Sequence, residues 1–251
     1  MKKVLLFAFT ALLVASCQKD NTPQAESSKG RIAITATVAG ELTTRAEGIT
    51  LPTPSLSEFS LLIAGDNFEQ SWSSFADYNT DENRFTAGNY TVSLAYGDSA
   101  AEGYNTPAFG ATKSVVVLDR NRTTEVALTA KLTKAIVEVK TTEAFMSYFP
   151  VADFKLTTAT NSFDLDLSST EHLFVAAQQS VKIDCSCIRQ SNLAAGTVES
   201  LATQTIEATA PATRYIVTYD LTTVGGVKIT VKLNQTVIDT IVVETELNPN
   251  A

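Results

Sequence analysis

The sequence predicts an all-β protein of two antiparallel β-sandwich domains, and three observations carry that prediction. Threonine is abundant, 35 of 251 residues, and valine and isoleucine crowd the same segments, a usage that suits pleated, half-buried strands. Apolar and polar residues alternate with period two in one segment after another. Turn-forming clusters separate those segments at short intervals, the pattern of an antiparallel sandwich.

Residues 1–16 open with Lys2 and Lys3 and run through an apolar stretch from Val4 to Val14. That stretch is too short to span a bilayer and has the size of a signal-peptide core. Val14, Ala15 and Ser16 then lead directly into Cys17, an ending that resembles the lipobox of bacterial lipoproteins. The resemblance implies cleavage before Cys17 and acylation of that residue, with outer-membrane lipid as its partner. Several chains buried at about 0.8 kcal/mol per methylene hold a protein durably without a transmembrane helix. Residues 17–29 are polar and turn-rich and read as a flexible tether.

Charge and cysteine usage narrow the function. The formal charge of −8 becomes −10 once Lys2 and Lys3 are removed. Such acidity argues against nucleic acid and against a basic patch on anionic lipid. Beyond Cys17 the cysteines are Cys185 and Cys187, two apart and so on one face of a strand. Zinc wants four ligands and the sequence has a single histidine, His172, so no metal site and no cofactor is expected. A strained disulfide or two buried small residues are the readings left.

The first domain is expected over residues 30–132. In Arg31 to Ala39, Ile32, Ile34, Ala36 and Val38 share one face, while Arg31, Thr35 and Thr37 take the other. A loop with Thr44, Arg45, Ala46, Pro52 and Pro54 follows. Strands are then predicted at Glu58 to Ala64, Gly88 to Gly97, Lys113 to Leu118 and Thr123 to Lys131. Asp119-Arg120-Asn121-Arg122 joins the last two as a tight hairpin. Within Gly88 to Gly97, Tyr90, Val92 and Leu94 point inward. Gly103 to Gly110, with aromatics between glycines and a proline, reads as a shaped loop beside the sheet.

The second domain is expected over residues 133–251, opening where Ala135, Val137 and Val139 alternate with Ile136, Glu138 and Lys140. Phe145 to Phe149 forms a helical turn or packed corner. Further strands are read in DFKLTTA, SFDLDL, SVKIDCSC, TQTIEAT, RYIVTYDL, GVKITVKL and TVIDTIVV, with Arg189 to Thr203 as a loop. Gly225-Gly226 marks a turn, and Asn234-Gln235 is expected to turn the chain into the last strand.

Several of these pieces together resemble a known family. They are the lipobox, Gly30-Arg31-Ile32, Thr44-Arg45-Ala46, Ala87-Gly88-Asn89-Tyr90-Thr91-Val92 and Gly103 to Gly110, followed by the hairpin leading to Lys131-Leu132. The chain is similar to two-domain Bacteroidetes lipoproteins that carry a conserved domain of unknown function and look distantly fimbrillin-like. Gln18, Lys19 and Asp20 resemble the short acidic signals that send such lipoproteins to the outer face of the outer membrane. The resemblance also implies that Arg45-Ala46 stands where a fimbrillin is cut before strand exchange between subunits.

Catalytic chemistry is not readable. No nucleophile elbow, P-loop, zinc-protease helix or glycine-rich dinucleotide turn is present in the sequence, so no enzyme is predicted. His172 sits in a Ser-Thr-Glu-His loop expected to be solvated, and Asp164 and Asp166 read as a solvent-facing strand edge. Asp77 to Asn83 matches the start of a calcium loop but has Glu82 where the sharp turn needs glycine and Gly88 where a bidentate glutamate belongs.

Phe68, Trp72, Phe75 and Tyr78 form the densest aromatic stretch. They either fill the sandwich or present a platform for sugars. Trp72, Phe75 and Tyr78, with Tyr104 and Phe109, are therefore the candidate ligand-binding aromatics.

Three functions follow: a non-enzymatic surface protein whose loops hold a host protein or glycan, a fimbrial subunit, anchor or tip assembling with other fimbrial subunits, and a glycan-binding accessory of polysaccharide uptake.

Overall fold

The computed structural model describes residues 29–39, 41–42, 49–221, 227–235 and 245–247. Cys17, Gln18, Lys19, Asp20, Arg45, Ala46, the Gly225-Gly226 turn and the expected last strand at 236–243 lie outside them. The first half contains β1 (Lys29–Val38), β2 (Glu41–Leu42), β3 (Ile49–Thr50), β4 (Ser60–Gly65), β5 (Phe68–Trp72), β6 (Phe85–Thr86), β7 (Gly88–Tyr96), β8 (Gly103–Tyr104), β9 (Phe109–Val117) and β10 (Thr123–Leu132). The second half begins with β11 (Ala135–Thr141), helix α1 (Glu143–Tyr148), β12 (Val151–Thr157), β13 (Ser162–Leu165), β14 (Leu173–Val175) and β15 (Val181–Ile188). It continues with β16 (Glu199–Ser200), β17 (Gln204–Ile206), β18 (Thr213–Leu221), β19 (Val227–Gln235) and β20 (Thr245–Leu247).

Seven strands of the first half form one sheet, ordered β5-β4-β7-β9-β10-β1-β6. It closes over itself at β9 and β10, whose ladder is reduced to Lys131 opposite Gly110 and Leu132 opposite Phe109. Inward residues of both layers, among them Ile32, Leu61, Ile63, Val92, Val126 and Leu128, then meet in one core. The predicted alternation holds: Tyr90, Val92 and Leu94 are all buried. Arg120 and Asn121 both take φ of 60° in the tight connection between β9 and β10. The expected tight hairpin is corrected: β9 and β10 pair only at their far ends, and beside the connection Val117 of β9 pairs with Gly88 of β7 while Thr123 of β10 pairs with Arg31 of β1.

The second half has two facing layers, β20-β19-β18-β11-β14-β8 and β13-β12-β15-β16, with β17 beside β15. Between them lie Phe145, Phe154, Leu156, Ile183, Val217 and Tyr219. Phe145 comes from α1, whose first turn is capped by the Thr142 hydroxyl accepting from the Phe145 amide. The expected turn at Asn234-Gln235 is corrected. Both residues continue β19 and pair with Arg214 and Thr213, because the long edge of β18 keeps the ladder going.

In each half the opening strand pairs in parallel with a strand far along the chain, β1 with β10 and β11 with β18, within sheets otherwise antiparallel. Period-two alternation is the same in either direction, so this was not readable from the pattern. Gly30 sits where β1 passes the β9–β10 connection: a Cβ there would stand 2.1 Å from the Leu118 carbonyl oxygen.

A clasp joins the halves. Gly97, at φ +68° and with the Pro107 carbonyl 2.6 Å from where a Cβ would be, turns the chain out of β7. The segment that follows places β8 on the edge of β14, Gly103 opposite Phe174 and Tyr104 opposite Leu173. Glu102 enters the second half and accepts from the Thr158 hydroxyl at 2.6 Å, Asn161 Nδ2 at 2.8 Å, the Thr160 hydroxyl and the Ala176 amide at 3.1 Å each, and Gln179 Nε2. Lys134, 1% exposed between β10 and β11, donates to the carbonyls of Ala101 and Thr106. Burial, partly offset by Asp98 and Glu102, draws its pKa down. The shaped loop is thus the seam of the molecule.

Cys185 and Cys187 are free, buried and side by side on the core face of β15. The hydrogen bond between them and their burial push the Cys185 thiol well up. The hydroxyl of Tyr219, in the same core, has no hydrogen-bond partner among the described residues. Removing a buried orphan relieves a desolvation penalty of about 1–3 kcal/mol. Tyr219→Phe is therefore expected to raise stability by about 1 kcal/mol, and a lower urea midpoint than wild type would contradict this.

Candidate functional site

The candidate site is a cleft of about 260 Å³ on the outer face of the β11–β14–β18 layer. β11 explains its position. Ala135, Val137 and Val139 face the second core, whereas Ile136, on the opposite face, is buried in the first core beside Phe174. Glu138 is next on that face, where the first half no longer covers the sheet, and it lines the cleft.

Two neighbours converge on Glu138. Arg214 stands beside Ile136 in the parallel register, so its side chain runs forward along the same face. Its Nε donates to Glu138 Oε1 at 2.9 Å and its Nη2 to Oε2 at 2.5 Å. Leu173 pairs with Val137, and one step further the ladder brings His172 opposite Glu138. His172 Nδ1 lies 3.1 Å from Glu138 Oε1. The solvated loop expected for His172 is thereby corrected: the side chain is 28% exposed and held by the carboxylate.

The rim is built by the β13–β14 connection and the clasp. The Asp166 carboxylate accepts from the hydroxyl and amide of Ser168, which hold its pKa below the usual range. Glu171 Oε1 accepts from Asn105 Nδ2 at 2.7 Å, and the Asn105 amide donates to the His172 carbonyl. Tyr104 lines the cleft, its hydroxyl pKa raised chiefly by burial. Ser169, Thr170, Lys140, Leu165 and Leu167 complete the wall. A fixed ion-pair network beside hydroxyls and the Tyr104 side chain equips it to bind by hydrogen bonds.

Of the aromatics singled out by sequence, only Tyr104 reaches this cleft. Trp72, Phe75 and Tyr78 pack against the first core, Trp72 and Tyr78 edge to face with centroids 5.0 Å apart. The Tyr78 hydroxyl donates to the Ile32 carbonyl at 2.6 Å, and burial pushes its pKa up to about 12. Tyr78 thereby braces β1, and all three rings are partly buried against the core instead of forming an open platform. Phe109, 1% exposed, is a core residue. Asp164 lies 3.6 Å from Lys155 across β12 and β13. In the calcium-like segment, Asn79 Oδ1 accepts from the Asp81 amide and the Asn79 carbonyl from Asn83 Nδ2, which folds the loop on itself. Among the described residues, no group of three or more His, Cys, Asp and Glu is placed to hold a metal.

Sequence reasoning missed Glu138 and Arg214. Arg214 had a readable signal, since it directly precedes an apolar run, Tyr215 to Val217, in a strand buried on both faces.

A family model described as a domain of unknown function (DUF4493) matches residues 28–248. No curated protein matches the chain. Among solved structures, a fimbrial assembly protein from Parabacteroides distasonis is similar at 8% identity and TM-score 0.46, over 84% of this chain and 97% of that one. A candidate cell adhesion protein from Bacteroides uniformis is similar at 12% identity and TM-score 0.42, over 82% and 98%. Candidate polysaccharide binding proteins from Bacteroides thetaiotaomicron give 7% identity and TM-score 0.39, over 81% and 95%.

Proposed function

We propose, for a chain that belongs to the DUF4493 family, the role of a non-enzymatic surface protein that adheres through the Tyr104–Glu138–His172–Arg214 cleft. Residues 30–132 and 133–251 act as its two domains, and acylated Cys17 anchors it in the outer membrane with Gln18, Lys19 and Asp20 directing it outward. One observation carries the binding role: the clasp that locks the halves together also delivers Tyr104 and Asn105 to the rim. A site on a rigid scaffold loses little freedom when its ligand arrives. Palmitate labelling should mark the wild type and not Cys17→Ser, which should be released from the membrane. Protease shaving of intact cells should yield its peptides, and cells lacking the protein should adhere less to immobilised mucin. Unlabelled wild type, or unchanged adherence, would reject the corresponding part.

A second reading, a fimbrial subunit, anchor or tip, is favoured by the placement of β1. That strand pairs with β10 along one side, while β6 covers only Lys29 and Gly30 on the other. Cleavage at Arg45-Ala46 would free it, leaving an edge that another subunit's strand could occupy. Mature protein beginning at Ala46, together with a ladder of multimers, is the expected sign. Intact peptides across Arg45-Ala46 in surface material, with no ladder of multimers, would rule out polymerisation by strand exchange.

A further inference from the structure

We infer that the cleft takes one residue of a neutral carbohydrate, an assignment that rests on the adhesive reading above and names the class of ligand. Size comes first. About 260 Å³ is below the roughly 300–1,000 Å³ of pockets for drug-sized ligands, and it suits a single sugar ring whose chain continues out of the open side.

Charge decides the class. Glu138 is engaged by Arg214 and His172, Asp166 by Ser168, and Glu171 by Asn105. Lys140 is engaged as well. An anionic ligand would meet the carboxylates of Glu138, Asp166 and Glu171, and could reach Arg214 only by displacing Glu138 and stranding that carboxylate in a half-buried site. A neutral polyol need not displace it. Each carboxylate has about four lone-pair sites, so sugar hydroxyls can donate to those left over without breaking an ion pair. The hydroxyls of Ser169 and Thr170 add further donors and acceptors, while Tyr104 and Leu167 give the C–H face of a ring an apolar wall. The mostly polar lining disfavours a lipid, whose burial would leave those groups unpaired.

The test is native gel electrophoresis of the full chain through gels containing yeast mannan, arabinoxylan or dextran, and through gels containing heparin or polygalacturonate. At least one neutral polymer should retard the wild type, and Thr170→Trp, which fills the cleft from an exposed loop position, should weaken that retardation at least tenfold. Glu138→Gln, which keeps the shape but removes the charge, should weaken it as well. Retardation by the charged polymers alone, equal retardation of Thr170→Trp, or no retardation in any gel overturns the carbohydrate assignment. Adherence of cells to mucin judges the broader role independently, so the two failures are told apart.

Discussion

Glu138→Ala is expected to lower folding stability by about 3–5 kcal/mol, the range seen when one partner of a buried ion pair is removed. The side chains of Arg214 and Glu138 are only 8% and 16% exposed, and the guanidinium approaches both carboxylate oxygens. Alanine leaves that cation in a half-covered sheet face without its bidentate acceptor, and His172 loses its anchor at the same time. Glu138→Gln keeps the volume and one acceptor and should cost about 1–3 kcal/mol. Urea unfolding of the three proteins measures this. An alanine variant within 1 kcal/mol of wild type would mean that water already screens the pair about as well as the protein does.

The second large effect is expected from Glu102→Ala, about 2–3 kcal/mol, since hydrogen bonds to a charged acceptor are the strong ones. Thr158, Asn161, Thr160, Gln179 and the Ala176 amide all lose their shared acceptor. Burial tends to raise the Glu102 pKa, but the hydrogen bonds from Thr158, Asn161, Gln179 and Ala176 outweigh it and hold the value below the ordinary range. The unfolded chain therefore takes up the proton first. The stabilisation is fully present above the unfolded value of about 4.3 and is lost as pH falls through the lower folded value. Wild-type stability should drop across that window, and Glu102→Gln should show less of the drop. Equal acid sensitivity in both would place the titration elsewhere.

Much of the architecture was legible because alternation reports directly on which face is buried. In β10, Val126, Leu128, Ala130 and Leu132 are buried one residue in two, and β15 does the same with Val181, Ile183, Cys185 and Cys187. What alternation cannot report is which strands are neighbours, so the pairing of β1 with β10 required the structure. The cleft was illegible for the same reason. Glu138 and His172 look like ordinary outward residues, and with Arg214 they become a network because the ladder sets three distant segments in register. The clasp hid behind its polarity. Lys134 and Glu102 resemble solvated loop residues, yet each is enclosed by partners from elsewhere in the chain.

The long-range pairing of β1 also dictates the order of events in folding. Arg31 has no ladder partner on its β10 side until Thr123 has been delivered, and Ala135 waits likewise for Thr213. Each sandwich must close a loop of most of its own length before its first strand is secured, an entropic cost that local contacts cannot offset beforehand. Chains dominated by such contacts fold in milliseconds to seconds, not microseconds. During that interval the apolar face of β1 is unpartnered, and it is then that a newly emerged chain is most exposed to proteases and to pairing with its neighbours.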